Sequence, residues 1–280
     1  MNRLTFVALA LAGLIATAQA GTLDDIKKRG SIRLGYSETS VPFSFTSKQG
    51  DIAGYSVELC KRVAAGIAQA ANIPSLKTEW IALTPSDRIE AVASGKADLE
   101  CGTTTITLSR REKVDFSLPI FLDGSTLMAR ERVATSLAQL QGKKIAVADR
   151  TTTLGAVTSA LGRGFIKADL VKTKTVAEGF ELLKAGKVDA LAGDRTNLVG
   201  TFLGGGGAEG LVVFADDLSI EPYGLVLRRG DADFRLAVDR VLAQLYATGE
   251  IEAIYGAWLR PLGKPTLQLL SMYLQNALPD

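Results

Sequence analysis

The sequence predicts an α/β protein of two lobes, each with a mostly parallel sheet flanked by helices, joined by a two-strand hinge. Short apolar stretches alternate with helical patterns, which is typical of parallel sheets. A helix-turn-strand unit containing Gly95 recurs around Gly186. Two apolar extended segments, residues 125–130 and 223–227, leave the first lobe and return to it, so the second lobe is predicted to be inserted into the first.

The predicted elements of the first lobe follow in chain order. Residues 31–35 alternate like a strand, and residues 54–69 carry apolar side chains at helical spacing. Proline favours extended backbone in the residue before it, so Pro42 predicts an extended segment at 41–45. The remaining patterns predict a strand at 76–82, a helix at 86–93, a strand at 98–102 and, late in the chain, a helical segment at 233–258.

An internal repeat is the main indication of two similar lobes. Residues 89–99 (IEAVASGKADL) are echoed by residues 180–190 (FELLKAGKVDA). Both predict an amphipathic helix, a glycine that accepts the left-handed conformation at the helix end, a lysine, and an aspartate that opens a strand. The alternative is two ordinary helix-turn-strand units, but the shared length and register favour duplicated lobes.

The two lobes are predicted to face each other across a cleft. Each begins with a strand that runs into a polar loop, residues 37–40 in the first lobe and 150–153 in the second. Open α/β sheets bind ligands at the carboxyl ends of their strands. The predicted limits are 21–126 with 224–280 for lobe 1 and 127–223 for lobe 2, and the glycine run at 204–207 is predicted to be a mobile surface loop without a chemical role.

The first twenty residues predict a cleaved signal peptide. Arg3 precedes an apolar run, and Ala18-Gln19-Ala20 fits a signal peptidase site before Gly21. A membrane anchor is the alternative, but the run is only about 15 residues, short for a bilayer span. The mature protein is therefore expected outside the cytoplasm.

Composition excludes several kinds of chemistry. The formal net charge is +2, which gives no electrostatic footprint for nucleic acid or an anionic membrane. The chain has no histidine, so Ser-His-Asp and Cys-His mechanisms and imidazole metal sites are excluded. We expect neither a metal nor a cofactor. The two cysteines, Cys60 and Cys101, favour one disulfide in an exported protein, with two buried thiols as the alternative.

The loop at residues 103–112 (TTTITLSRRE) has the donors that a carboxylate ligand requires. It offers hydroxyls and Arg110, whose guanidinium can bind a carboxylate with two hydrogen bonds. The alternative is a helix capped by Thr107 with Arg110 in its first turn. Basic residues in a first turn oppose the helix dipole, which favours a ligand role for at least one arginine.

Several motifs in their order resemble one family. They are Gly35-x5-Val41-Pro42-Phe43, residues 54–59 (GYSVEL), residues 95–98 (GKAD), Thr105-x4-Arg110-x4-Asp115-Phe116-Ser117, Gly193-Asp194 and Tyr223-Gly224. Over nearly the whole mature chain the sequence resembles the bacterial periplasmic solute-binding proteins of family 3, which bind polar amino acids. Residues 100–105 are most similar to the glutamate/aspartate-binding branch. The resemblance implies a type II periplasmic binding protein fold.

The resemblance also implies a function and roles for single residues. The expected function is to capture an amino acid and deliver it to the membrane permease of an ABC importer, as a monomer and without catalysis. Arg110, Thr105 and the Thr103 backbone are expected to bind the α-carboxylate, Asp194 the α-ammonium, Thr151 and Thr152 to add donors, and Arg88 to bind a side-chain carboxylate. For Arg88 the alternative is a solvated helix arginine.

The sequence departs from the pattern of the acidic-ligand branch. Ser37 stands where that branch has a second arginine, and Ser40 and Pro85 stand where the glutamine-type branch has aromatic residues. Arg150 is a candidate to replace the lost charge, and glutamine or asparagine remain alternative ligands. In this branch a pair such as Cys60 and Cys101 forms a disulfide, which would brace the pocket.

Two other functions fit the same resemblance. Some periplasmic dehydratases that act on prephenate or arogenate share this fold, and they require a carboxylate as general acid. Glu38, Glu100 and Glu221 are the candidates for that role. A ligand-loaded partner of a signalling receptor is the third interpretation.

Overall fold

The computed structural model describes residues 21–204 and 210–279. The predicted signal peptide at 1–20 and residues 205–207 of the predicted glycine loop lie outside the described residues. The helices are α1 Thr22–Arg29, α2 Tyr55–Ala70, α3 Arg88–Ala93, α4 Leu108–Arg111, α5 Thr152–Arg163, α6 Val176–Lys184, α7 Arg195–Gly204, α8 Ala232–Thr248, α9 Glu250–Trp258 and α10 Leu267–Gln275.

The strands belong to one large sheet and one small sheet. They are β1 Ser31–Tyr36, β2 Thr39–Ser40, β3 Ser44–Thr46, β4 Ile52–Ala53, β5 Lys77–Ala82, β6 Leu99–Glu100, β7 Val114–Arg130, β8 Lys144–Ala148, β9 Asp169–Thr173, β10 Ala190–Asp194, β11 Leu211–Val213 and β12 Ser219–Arg228. The large sheet has the order β5-β1-β6-β12-β7-β10-β8-β9, with β11 also beside β7. Strands β2, β3 and β4 form the small sheet.

The large sheet is parallel at both ends and antiparallel in the middle. In the first lobe β1 pairs in parallel with β5 and β6, and in the second lobe β8 pairs in parallel with β9 and β10. Between them β7 and β12 run antiparallel to each other through both lobes. The predicted architecture of two mostly parallel lobes joined by two strands is confirmed. The exact lobe limits stay a prediction, since one continuous sheet crosses them.

Side-chain alternation explains how the second lobe packs. Along β8, Ile145 and Val147 lie in one apolar cluster with α5, while Ala146 lies in another with α6. Strand β10 repeats the pattern, with Ala190 and Ala192 on the α5 side. Because both faces are covered by helices, these strands read as continuous apolar runs in the sequence. The first lobe buries its own core between the sheet and helices α2, α8 and α9.

The predicted helix at 233–258 is two helices. Gly249 adopts a left-handed backbone conformation with φ of 78°, which ends α8 and begins α9. A glycine accepts this conformation without steric cost, so the chain can turn there. Both helices still contribute apolar residues to the core of the first lobe.

The two cysteines form the predicted disulfide. Cys60 on α2 and Cys101 just after β6 are bonded, with 6.1 Å between their Cα atoms, and both are buried. The alternative of two free thiols is therefore wrong. The bond ties α2 to the end of β6, next to the loop that carries Thr103. None of the helices in the part of the chain that the structure describes has the length and apolar character to cross a membrane.

Candidate ligand-binding site

A cavity lies between the lobes, at the carboxyl ends of β1 and β6 on one side and of β8 and β10 on the other. Hydroxyl groups dominate the lining, and it receives a charged side chain from each lobe. Seven of the eight residues that the sequence proposed for ligand binding line it: Ser37, Arg88, Thr103, Thr105, Thr151, Thr152 and Asp194.

The strand ends explain why these residues meet although they are far apart in the sequence. β1 ends immediately before Ser37, and β6 ends shortly before Thr103. β10 ends on Asp194 itself, and Thr151 caps the first turn of α5 by accepting a hydrogen bond from the Leu154 amide at 3.2 Å. Parallel strands present their carboxyl ends at one edge, so the loops that follow them share the cleft.

Arg88 is a buried cation without a complete set of partners. It is 7% exposed, although it opens helix α3. Within the described residues its Nε has no hydrogen-bond partner. The interpretation of Arg88 as a solvated helix arginine does not fit this burial. A buried charge without hydrogen bonds costs several kcal/mol, so the position favours an anionic ligand.

Glu100 lies close to Arg88 but is held by the protein. The Thr104 hydroxyl donates to its Oε2 at 2.8 Å, and the residue is buried. Burial raises the pKa of Glu100, and the positive charge of Arg88 opposes that rise. The carboxyl group therefore partly offsets the charge of Arg88 and leaves its guanidinium facing the cavity.

Asp194 brings the opposite charge from the second lobe. The Tyr223 hydroxyl donates to its Oδ2 at 2.6 Å, and the Thr153 hydroxyl donates to its Oδ1 at 2.9 Å. Loss of hydration and the nearby Glu221 raise the pKa of Asp194 to about 6. An ammonium group of a ligand would supply the cation that favours the ionised form.

Arg110 is placed differently from the other predicted residues. Its Nη1 donates to the Thr105 carbonyl oxygen at 2.7 Å, and it is not among the described residues that line the cavity. Thr107 caps helix α4 by accepting a hydrogen bond from the Arg110 amide at 3.1 Å, as the alternative interpretation of this loop predicts. Loss of hydration and the neighbouring Arg88 lower the pKa of Arg110 to about 10. The guanidinium thus stands directly behind Thr105.

Glu221 on β12 links the two lobes at the edge of the cavity. Its Oε2 accepts hydrogen bonds at 2.6 Å from the hydroxyls of both Thr105 and Thr152. The sequence analysis considered Glu221 only as a catalytic acid and missed this contact. A hydroxyl has one proton to donate, so both threonines are committed to Glu221 in this arrangement. Glu221 is buried and its neighbour Ile220 is exposed, which is the reverse of what the two residue types predict, so the sequence gives no signal for this facing.

Asp123 on β7 is a second residue that the sequence analysis missed. Its carboxyl group accepts hydrogen bonds from the backbone amides of Gly124 at 2.9 Å and Thr196 at 3.2 Å. The Tyr223 hydroxyl lies 3.2 Å away. Loss of hydration and the charge of Asp194 raise the pKa of Asp123 to about 7. Asp123 therefore stands behind Asp194, with the phenol between them.

Residues 32–261 match the family described as bacterial extracellular solute-binding proteins, family 3. The chain belongs to this family. An L-glutamate/L-aspartate-binding protein of Pseudomonas aeruginosa is 32% identical over 253 residues, which cover 90% of this chain and 84% of that protein. The predicted family is confirmed, and with it the type II two-lobed fold.

Two solved structures are similar to this solute-binding protein over most of its length. A solute receptor for L-cysteine from Neisseria gonorrhoeae has a TM-score of 0.76 at 27% identity, covering 86% of this chain and 94% of that one. An ancestral amino acid-binding protein, a precursor of cyclohexadienyl dehydratase, has a TM-score of 0.71 at 30% identity, covering 86% of this chain and 100% of that one. These relatives are thus described as binding proteins or receptors, and one of them is the precursor of an enzyme.

The departures from the acidic-ligand pattern are visible in the solute-binding protein. The Ser37 hydroxyl is 2.8 Å from the hydroxyl of Ser40, and both residues line the cavity together with Pro85. Arg150 is exposed and donates from its Nη1 to the Ser86 carbonyl oxygen at 3.3 Å, across the lobes. It is not among the described residues that line the cavity, so it does not replace the missing arginine in this arrangement.

The three candidate general acids do not line the cavity among the residues that the structure describes. Glu38 is exposed, Glu100 is held by Thr104, and Glu221 is held by the two threonines. Within 21–204 and 210–279 no group of three or more cysteine, aspartate or glutamate side chains is arranged to hold a metal ion.

Proposed function

We propose that this solute-binding protein captures a free acidic amino acid, glutamate or aspartate, in the periplasm and delivers it to the permease of an ABC importer without any chemical step. The observation that carries the proposal is the Arg88 guanidinium, which is 7% exposed at the cavity and has an unpaired Nε. Asp194 lines the same cavity from the other lobe. The two charges fit a molecule with an ammonium group and an extra carboxylate.

The proposed arrangement assigns each polar group of the ligand. The α-ammonium pairs with Asp194, and the side-chain carboxylate pairs with Arg88. The α-carboxylate lies between the Thr103 backbone and Arg110, which is already held by the Thr105 carbonyl oxygen at 2.7 Å. Ser37 adds a hydroxyl from the first lobe. The Thr151 hydroxyl donates its proton to the Ala148 carbonyl oxygen at 2.7 Å, so Thr151 lines the cavity without donating that proton to the ligand.

Thr105 and Thr152 bind the ligand only under one condition. Their hydroxyl groups donate to Glu221 at 2.6 Å, so they can donate to the ligand's carboxylate only if it displaces Glu221. Otherwise they act as a clasp between the lobes. In both cases the contact requires the lobes to be closed, as in hinged binding proteins.

The names of the relatives support an amino acid as the ligand, but they do not single out glutamate or aspartate. The Pseudomonas aeruginosa protein binds glutamate and aspartate by its name, whereas the Neisseria gonorrhoeae receptor is one for L-cysteine. Because the family accepts different side chains, the choice of an acidic ligand depends on Arg88. The predicted lobe limits, the signal peptide and the monomeric state belong to the same proposal.

Calorimetry of the purified protein against the common amino acids tests the proposal. We expect L-glutamate and L-aspartate to bind more tightly than their amides. Substitution Arg88→Ala should weaken the acidic ligands by about 100-fold and the amides far less, because a desolvated charge pair contributes several kcal/mol.

Arg150→Ala is the matched control, because Arg150 is an exposed arginine at the rim of the cleft. Its loss should change the affinity for L-glutamate less than threefold. If Arg150→Ala removes the preference for acidic ligands and Arg88→Ala does not, the ligand's side chain lies elsewhere. If no amino acid binds, the proposed function is wrong.

The absence of catalysis is proposed from the same geometry. A general acid has to reach the reacting atom directly or through one water molecule. Glu38 is exposed, and Glu100 and Glu221 are already hydrogen-bonded to threonines. These three carboxyl groups are not among the described residues that line the cavity. Incubation with prephenate or arogenate should therefore leave both unchanged, and turnover would contradict the proposal.

A further inference from the structure

One phenol stands between two carboxyl groups at the wall of the cavity. The Tyr223 oxygen lies 2.6 Å from Oδ2 of Asp194 and 3.2 Å from Oδ2 of Asp123. Burial and the two carboxylates raise the pKa of Tyr223 well above its usual value, so the phenol keeps its proton. That single proton serves one carboxylate, and the shorter contact identifies Asp194 as its acceptor.

The contact with Asp123 then requires a second proton. With both carboxyl groups ionised, Oδ2 of Asp123 would face the lone pairs of the phenol oxygen and the charge of Asp194, with the Thr196 amide at 3.2 Å as a donor to that oxygen. A proton on Oδ2 of Asp123 turns the contact of 3.2 Å into a hydrogen bond to the phenol oxygen. The backbone amides of Gly124 and Thr196 still donate to the carbonyl side of the acid.

We propose that Asp123 is a positioning residue that carries a proton in the ligand-free protein, and that the ligand's ammonium expels about one proton from the Asp123–Asp194 pair, so that capture is linked to proton release. This inference deepens the proposed function and rests on it. Asp123, which is not among the described residues that line the cavity, would thus prepare the ammonium site.

The charged groups around Asp123 and Asp194 do not neutralise the pair directly, so it can retain a proton. No arginine or lysine forms an ion pair with either carboxyl group among the described residues. Arg195, the neighbour of Asp194 in sequence, pairs with Asp217 at 2.6 Å. Arg88 on α3 and Arg110 on α4 act on Asp194 only through space, and Glu221 on β12 opposes them.

The pair does not depend on closure of the cleft. Asp194 lies opposite Ser125 in the pairing of β10 with β7, and Tyr223 lies opposite Phe121 in the pairing of β12 with β7. Strand pairing thus holds all three groups together in the hinge and the second lobe. The proton is therefore present before the ligand arrives.

The sign of the pH dependence follows from the pKa values of about 7 for Asp123 and about 6 for Asp194. Both are raised, so the pair holds a proton near pH 6.5 and loses it as the pH rises. An ammonium group stabilises the ionised pair. Affinity should fall by up to about tenfold for each pH unit below 7 and should be flat above pH 8.

Calorimetry with L-glutamate in two buffers of different ionisation enthalpy measures the proton directly. At pH 6.5 the observed enthalpies should differ and correspond to release of roughly one proton, and at pH 8 they should agree. Equal enthalpies at pH 6.5 would overturn the inference. In the variant Asp123→Asn, whose amide can donate to the phenol, the affinity for L-glutamate should lose most of its pH dependence.

Asp239→Asn is the matched control, because burial raises the pKa of Asp239 outside the cavity. It should retain the wild-type proton release. If Asp123→Asn does not fold, carboxyl ¹³C NMR of the ligand-free wild type gives a second test. One aspartate should titrate between pH 6 and 7, and midpoints all below pH 5 would overturn the inference. Failure of every amino acid to bind would contradict the proposed function and leave this NMR result to decide the proton on Asp123.

Discussion

At the scale of single residues, the site combines two charges that the protein leaves open to the cavity. Among the residues that the structure describes, the Arg88 Nε has no hydrogen-bond partner, and the carboxylate of Asp194 accepts only from hydroxyl groups. Neutral donors hold a carboxylate in place without cancelling its charge. The protein thus orients the anion and keeps it available for an ammonium group.

Substitution Tyr223→Phe tests this orientation. The phenol lowers the pKa of Asp194 by donating to it at 2.6 Å, so its removal should raise that pKa further. We expect the affinity for L-glutamate to fall by about tenfold at pH 7, the loss of one hydrogen bond to a charged group, and by less at pH 8.5. Calorimetry at the two pH values measures both effects.

Tyr246→Phe is the matched control for this substitution. Tyr246 also donates a buried phenol hydrogen bond, to the Pro119 carbonyl oxygen at 2.8 Å, but lies in the core of the first lobe. Its loss should lower stability and leave the affinity unchanged. Equal losses of affinity in both variants would show that the effect is structural.

At the scale of elements, the sequence predicted the strands and helices better than the directions of their side chains. The alternation in residues 31–35 and the helical spacing in 54–69 correspond to β1 and α2, because those elements bury one regular face. Strand β12 has register shifts around Gly224, so positions cannot be counted through it. For this reason the facing of Glu221 could not be derived with certainty from the buried residues beyond the bulge.

The length of strand β7 is also not apparent from the sequence. The sequence pattern predicts extended backbone at residues 125–130, while the strand runs over Val114–Arg130. Asp123 lies in the middle of this strand, where it crosses between the lobes. Its partners Thr196 and Tyr223 come from two other elements, and no spacing in the sequence indicates that contact.

Helix α7 of the second lobe contacts the first lobe and offers a test of closure. Asn197 donates from its amide to the Val41 carbonyl oxygen at 3.0 Å. A Cβ at Gly200, one turn later, would lie 2.4 Å from that same oxygen. Gly200→Ala should therefore hold the cleft open and weaken L-glutamate binding by at least about tenfold, since a backbone atom cannot give way cheaply.

Gly162→Ala on α5 is the control, because a Cβ there has no neighbour within 4 Å. It should bind as the wild type does, and alanine should slightly stabilise the helix. Small-angle X-ray scattering with saturating L-glutamate reports closure independently of affinity. A Gly200→Ala protein that closes and binds like the wild type would contradict the proposed closed contact.

At the scale of the whole molecule, a single sheet carries both the rigid lobes and the hinge. The strands β7 and β12 run through both lobes, and Asp194, the residue proposed to bind the ammonium group, lies on β10 beside β7. The disulfide between Cys60 and Cys101 braces the facing wall two residues before Thr103. Family resemblance allowed most of this site to be predicted, while the composition allowed only exclusions.

The role of Arg110 shows what remained beyond sequence reasoning. The resemblance implies that Arg110 binds the α-carboxylate directly, and this stays a prediction. The structure adds that one of the five N–H groups of Arg110 donates to the Thr105 carbonyl oxygen. A motif specifies which residue types approach the ligand. It does not specify which of them the loop backbone holds in its own hydrogen bonds.

A crystal structure of the complex with L-glutamate is the most direct test of the idea that an acidic amino acid is gripped from both lobes. We predict its ammonium within hydrogen-bond distance of Asp194 and its side-chain carboxylate on the guanidinium of Arg88. A complex in which Arg88 contacts no ligand atom, or in which the ammonium faces away from Asp194, would contradict it.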